Sequence, residues 1–399
     1  MLSIITLIII FYVASHENLF FSFVGFLLIV SVGPLIKSLT GVESTSLVYF
    51  FYWFIYFSFI IVRQRYLANL FSLLLIVVVL ILLFFQMLIV DVSLVSAFMG
   101  GARFVIIPIM ACYAAREIVN KNLDLVNVLL VYFVINILIF YIRAFYSYDF
   151  FGVMDIEVKE WTYRPSNLSN PIIFSIEVAI FLAMVMCSQL HVKNKTFIYA
   201  IMVVPLFLMF SRSSYIIIFL FSLFYLVYNK RYISLLLFSV ASFLIMYIYY
   251  ESMGKLPYVL SVFDYEAGAY DTRFTSMINA LSHISELNVS ELLFGTGSGT
   301  ASQHGNSNGL EAFYVENSFV SLVIENGVVF FLLYFFSLLY LIFNTTACGV
   351  GIYYTVIVLS VSLTNFFSAN LTVVSVQLLY WLVFFYGLFI SQERFLRES

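Results

Sequence analysis

The residues whose chemistry needs an explanation are few, because charge is scarce along these 399 positions: only 10% are Asp, Glu, Lys or Arg. Arg103, Arg143, Arg164, Arg212 and Arg273 fall in or beside apolar runs. Arginine presents a rigid fork of donors that matches phosphate oxygens, whereas lysine acts as a point charge. If these side chains share one membrane face, they suit a lipid-linked diphosphate. Arg103 alone is equally explained by snorkelling or by pairing with Asp91, since an arginine inside a span costs roughly 2.5–3.5 kcal/mol.

Carboxylates form the second set. Glu177 stands six residues after Pro171 in an apolar run, a depth at which an ionisable group is functional by default or else pairs with an arginine. Glu316 and Glu325 are nine residues apart. On one continuous helix that places them about 13 Å and half a turn apart, which excludes a carboxylate pair acting across one glycosidic bond. Glu316, at the mouth of its span, is the candidate general base for an acceptor hydroxyl. Glu325 is expected to pair within the bundle. His304 is the alternative base, or an exposed loop residue. Asn317, directly after Glu316, is a candidate for glycan contact or for a structural role.

Trp161 and Tyr163 lie among Asp155, Glu157 and Glu160. Such a mixture can stack on sugar rings and bind their hydroxyls, or form an interfacial aromatic belt. The run Gly295 Thr296 Gly297 Ser298 Gly299 has neither a preceding strand nor a following lysine, so it is not a nucleotide loop. A plain turn or a backbone nest for an anion or sugar remains. The three cysteines lack metal-ligand spacing, and neither metal nor cofactor is expected.

The elements that must position these groups are helices. At 63% hydrophobic residues the chain lies far from the roughly 45–50% of soluble domains, and apolar runs of about 17–25 residues recur from end to end. Barrel strands would alternate in polarity, and these runs do not. The expected class is an all-α polytopic membrane protein forming one transmembrane domain over 1–399, with about 12–13 spans. The first run, Met1 to Ala14, lacks a basic flank and reads as a retained helix, separated from the next by Ser15 His16 Glu17 Asn18. A near-neutral net charge of −3 gives no basic field for nucleic acid.

Lys and Arg in short loops set the orientation. Arg63 and Arg65, Arg116 and Lys121, Lys193 and Lys195, Lys230 and Arg231, and Arg394 and Arg397 all fall on one side, which is therefore cytoplasmic. Two long loops, 144–170 and 251–314, then lie outside. The larger holds seven acids against Lys255 and Arg273, so anions must be met by individually placed arginines. From Asp271, Phe274, Met277, Leu281 and Ile284 recur at helical spacing, which predicts an amphipathic helix capped by Asp271. Pro205 is expected to interrupt its span.

Three short stretches carry a resemblance: Phe210 Ser211 Arg212 Ser213 Ser214; Asp271 Thr272 Arg273 Phe274 with Leu292 Leu293 Phe294 Gly295 Thr296 Gly297; and Glu316 Asn317 Ser318 Phe319 leading to Glu325 Asn326 Gly327. In this order, around a large late loop, the chain resembles the O-antigen polymerase and ligase superfamily of bacterial envelopes, and more closely its Wzy-type polymerases.

The resemblance implies a GT-C-like, metal-independent, inverting glycosyltransferase of the bacterial inner membrane. Its site would face the periplasm and its donor would be an undecaprenyl-pyrophosphate-linked oligosaccharide. Arg212 and Arg273, with Arg103 and Arg164 as further candidates, would bind the pyrophosphate. Membrane lipids, a chain-length regulator and a flippase are the partners it allows. Ligases carry His where this chain has Glu316, which favours the polymerase. The alternatives are a ligase or a lipid-linked oligosaccharide flippase; a flippase should show repeated halves, and none is evident.

Overall fold

A computed structural model describes residues 2–32, 45–63, 77, 80–81, 84–88, 90, 94–147, 171–188, 190–209, 211–234, 237, 280–297, 317–345, 350–365 and 373–398. Every element among them is a helix. In chain order these are α1 (Leu2–Ala14), α2 (Leu19–Ser31), α3 (Thr45–Arg63), α4 (Leu94–Asn120), α5 (Leu125–Ser147) and α6 (Pro171–Cys187). There follow α7 (Val192–Leu208), α8 (Arg212–Tyr228), α9 (Val289–Phe294), α10 (Ser318–Thr345), α11 (Gly351–Thr364) and α12 (Val374–Glu398).

Among the described residues three stretches are long and apolar enough to cross a membrane: Leu125–Ala144, Ser318–Thr345 and Val374–Glu393. The last is 83% buried and the others 44% and 33%, so α12 is the centre of the bundle and α5 and α10 form its perimeter. Val131, Val134, Leu138 and Ile142 on α5, and Leu332, Phe336, Tyr340 and Phe343 on α10, are exposed at helical spacing. Such outward apolar stripes suit a lipid surround. Helices α1 and α2 have 13 residues each, a rise of about 20 Å against a core of about 30 Å.

Contacts between helix ends sort the bundle into two poles. At one pole the Glu117 carboxylate accepts from the N–H groups of Leu19 (2.5 Å) and Phe20 (3.3 Å). It caps the N-terminus of α2, where the helix dipole favours an anion. Lys121 bonds both Glu117 (2.7 Å) and Asn18 (2.6 Å). The Ser15–Asn18 break therefore separates two real helices. Lys195 donates to the carbonyls of Met186 and Ser188 (3.2 and 2.7 Å) and closes the end of α6. Tyr353 bonds Asn229, and Tyr386 bonds the Leu123 carbonyl. Gly387 lets α11 and α12 approach so closely that a Cβ there would meet the Tyr354 Cβ at 2.7 Å.

These contacts gather helix ends that the Lys and Arg pattern assigns to a single side, so the alternation of helix direction agrees with the sequence. The opposite pole, where α2, α6, α8, α10, α11 and α12 have their other ends, carries the described part of the large loop.

Pro205 does not interrupt α7, which runs on to Leu208. Proline lacks the N–H that would bond the Ile201 carbonyl, and Tyr141 on α5 donates its hydroxyl to that carbonyl at 2.8 Å. The neighbouring helix replaces the missing bond.

Candidate functional site

At the loop-bearing pole the chain does something the sequence reading did not anticipate. Helix α10 breaks at Gly327, whose φ of 83° and ψ of 167° are non-helical. This region of the map is open almost solely to glycine. A break frees the carbonyls of Ile324 and Glu325, which an unbroken helix would bond to residues four further on. The loop supplies the donors instead. Thr296 gives both its N–H (2.7 Å) and its Oγ1 (2.9 Å) to the Ile324 carbonyl, and the Gly297 N–H reaches the Glu325 carbonyl at 3.0 Å.

The two glycine-containing stretches fit one another reciprocally. A Cβ on Gly327 would collide with the Leu293 carbonyl and the Phe294 amide, and one on Gly295 with the Glu325 carbonyl and the Asn326 amide. Gly295 and Gly297 have φ of 83° and 99°. The run 295–299 is thus more than a plain turn over its described part. Nor do the Thr296 and Gly297 amides form an open nest, because both are committed to carbonyls of α10.

Local chemistry delivers the loop to this joint. Asn288 and Glu291 form a reciprocal capping box, each side chain bonding the other's backbone N–H at 2.9 Å, and start α9. Gly295 ends it, donating to the Glu291 carbonyl at 2.7 Å. Gln86, within helical residues 84–88, is buried and donates its Nε2 to the carbonyls of Phe294 (2.5 Å) and Glu325 (3.2 Å). Phe85 stacks on Phe294 with centroids 4.8 Å apart. Neither Gln86 nor this joint was read from the sequence, although a lone amide in an apolar run is a visible signal.

The amphipathic helix expected from Asp271 is described only over residues 280–286. Of the expected apolar set, Ile284 packs with Ala280 on Val320 and Ile324 of α10, Leu281 is half exposed, and Phe274 and Met277 lie outside the described residues. The opening segment of α10 is therefore the spine on which the described loop rests.

The predicted residues fare unequally. Asn317 is a helix cap: its Oδ1 accepts from the N–H groups of Phe319 (2.9 Å) and Val320 (3.2 Å). Helix α10 begins at Ser318, so the half-turn relation between Glu316 and Glu325, which assumed one continuous helix from Glu316, does not carry over. Glu316, His304, Arg273, Arg164, Trp161 and Tyr163 lie outside the described residues. Arg103 within α4 and Arg212 at the start of α8 are described in backbone only, and Arg143 on α5 is exposed.

Glu177 is buried and takes a hydrogen bond from the Tyr132 hydroxyl at 2.6 Å. Tyr132 also meets Ser31 at 2.9 Å, and Ser375 bonds the Glu177 carboxyl group. Hydroxyls of α5 and α12 thus meet the carboxyl of α6, and Ser31 of α2 reaches it through Tyr132. Its described partners are hydroxyls, where an arginine was the expected structural rival.

Buried side-chain polar atoms without a hydrogen-bond partner among the described residues include Trp53 Nε1, the Tyr56 and Tyr113 hydroxyls, Ser211 Oγ and Asn326 Nδ2. Ser211, before α8, and Asn326, beside the break in α10, belong to the loop-bearing pole, whereas Trp53 and Tyr56 lie in α3 and Tyr113 in α4. Buried polar atoms are nearly always satisfied, so such a group calls for a ligand, a water or a strain argument. No three metal-ligating side chains cluster among the described residues. Cys112 and Cys187 are free thiols packed in the bundle, and Cys348 lies outside the described residues. Compared with known protein families and with curated proteins, the chain matches no family model and no curated sequence.

Proposed function

We propose that this protein is a polysaccharide repeat-unit polymerase. It would transfer an oligosaccharide from an undecaprenyl-pyrophosphate carrier to an acceptor glycan, with inversion, at the periplasmic face of a bacterial inner membrane. The observation that carries the reading is the joint between Phe294–Gly297 and Glu325–Gly327. Two of the stretches on which the family resemblance rests, remote in sequence, are mutually fitted in space. Gly297 and Asn317, which flank His304 and Glu316 in the sequence, both stand against α10, at the joint and at its cap, about 12 Å apart for eight residues of helix.

In the proposed mechanism Arg212 and Arg273 bind the donor pyrophosphate, with Arg103 and Arg164 in support, and stabilise the negative charge that grows as it leaves. Glu316, or His304 in its place, removes the proton from the attacking hydroxyl. Bulk steering would oppose an anionic donor, since the loop is acidic. The arginines must therefore act by fixed geometry. The buried Ser211 hydroxyl lies at the same pole and suits a sugar or phosphate oxygen.

The test uses purified protein in nanodiscs with defined lipid-linked repeat units. Wild-type protein should give product ladders, and Arg273→Ala and Glu316→Gln should each abolish them. Normal ladders from both variants would refute the site assignment. Transfer onto a lipid A core in place of the carrier-linked glycan would convert the reading to a ligase.

A further inference from the structure

Gln86 is a buried amide that the proposed mechanism leaves unused, and it sits where three remote segments meet. Its Nε2 spans the Phe294 carbonyl (2.5 Å) and the Glu325 carbonyl (3.2 Å). Phe294 is the last residue of α9, and Glu325 stands two residues before the break in α10. One side chain therefore ties the end of the loop helix to the broken helix. The Glu325 carbonyl receives two donors, Gln86 Nε2 and the Gly297 N–H, and both of its lone pairs are thereby used. Phe85 holds the same junction from the next position through its ring on Phe294.

We propose that Gln86 is a positioning residue for the transfer reaction: it clamps the end of α9 to the break in α10, the described anchor after which the sequence runs on to His304 and Glu316. The inference rests on the polymerase reading for its catalytic consequence, but its structural half stands without it. A bound geometry about 1 Å out of place can cost as much as 10²-fold in rate, and a bridge between two carbonyls has no tolerance for losing its donors. Since both bonds of the Gln86 Nε2 go to backbone carbonyls, its loss should act on turnover and spare donor binding, the pattern expected when an interaction matters for the transition state alone.

The experiment compares full-length wild type with Gln86→Met, which keeps the volume and removes both donors. A second pair, Thr296→Val and Thr296→Ser, removes or keeps the hydroxyl that bonds the Ile324 carbonyl. Each is reconstituted in nanodiscs, checked for a monodisperse profile, and assayed with a lipid-linked repeat unit for kcat and KM. Amide exchange of the peptide covering 289–297 is measured on the same samples.

The expected result is exchange at Thr296 and Gly297 at least tenfold faster in Gln86→Met, with kcat down tenfold or more and KM within threefold. Thr296→Val should follow in the same direction, and Thr296→Ser should stay near wild type. Wild-type exchange in Gln86→Met overturns the inference whether or not the chain polymerises anything. Faster exchange with unchanged kcat, or kcat and KM impaired alike in all variants including Thr296→Ser, also overturns it. A wild-type protein that forms no product while the exchange difference is present overturns the polymerase reading and the catalytic half of this inference with it, leaving only a structural joint.

Discussion

Replacing Gly327 by alanine tests the joint at its tightest point. The new methyl meets two penalties. An L-residue at φ 83°, ψ 167° carries a backbone cost of about 1–3 kcal/mol. Its Cβ also collides with the Leu293 carbonyl and the Phe294 amide, which are backbone atoms and cannot rotate away. The loop must therefore lift off. Lifting breaks the bonds from Thr296 N–H, Thr296 Oγ1 and Gly297 N–H, and it frees the Gln86 bridge. At about 0.5–1.5 kcal/mol for each of these bonds, the separation forfeits roughly 2–6 kcal/mol.

A fall of about 3 kcal/mol in the free energy of local opening corresponds to about 100-fold faster exchange, at 1.4 kcal/mol per decade. Hydrogen exchange of peptide 289–297 in nanodiscs reads this directly. Gly295→Ala should give a similar increase, because its methyl strikes the other half of the same contact, the Glu325 carbonyl and Asn326 amide. The double variant should cost much less than the sum, since either change alone already opens the joint. Protection within threefold of wild type in both single variants would refute the reciprocal fit.

Other outcomes follow from contacts elsewhere. Glu177→Leu should lower the thermal midpoint, because Tyr132 and Ser375 lose an acceptor to a carboxyl group worth about 1.5–3 kcal/mol per bond, while Glu177→Gln should retain most of the stability; equal midpoints for the two variants would contradict the network. Tyr141→Phe strands the Ile201 carbonyl beside Pro205 and should cost about 1–3 kcal/mol, read as a lower thermal midpoint in detergent. Glu117→Ala removes the cap of α2 and should cost about 1 kcal/mol, visible as faster exchange at Leu19 and Phe20 with little change in the rest of the bundle.

The sequence made the helical class and the alternation of helix direction legible, because length, polarity and Lys/Arg placement report on them residue by residue. Helix ends were legible where a side chain announced them, as Asn18 and Pro171 did. What escaped was non-local. Nothing in the run from Ser318 to Thr345 says that it breaks, since isolated glycines occur inside continuous helices. Only the arrival of Thr296 and Gly297 makes the break affordable for the backbone. Asn317 was open to a glycan or a structural role, and its Oδ1 is used by the two amides that follow it. Gln86 was passed over because an amide has no charge to mark it. Pro205 misled in the opposite sense, as the hydroxyl that compensates it lies sixty-four residues earlier in the chain, on α5.

The break in α10 also divides its length in a way that matters for hydrophobic matching. Residues 328–345 rise about 27 Å, close to the thickness of a hydrocarbon core on their own, whereas all 28 residues as one rod would measure about 42 Å. If the later portion spans the lipid, 318–326 lies in the headgroup layer, and Glu325 sits at the boundary with water instead of well below it. The joint with the loop would then be a floor laid at the membrane surface, with the hydrocarbon beginning at the next turn of helix.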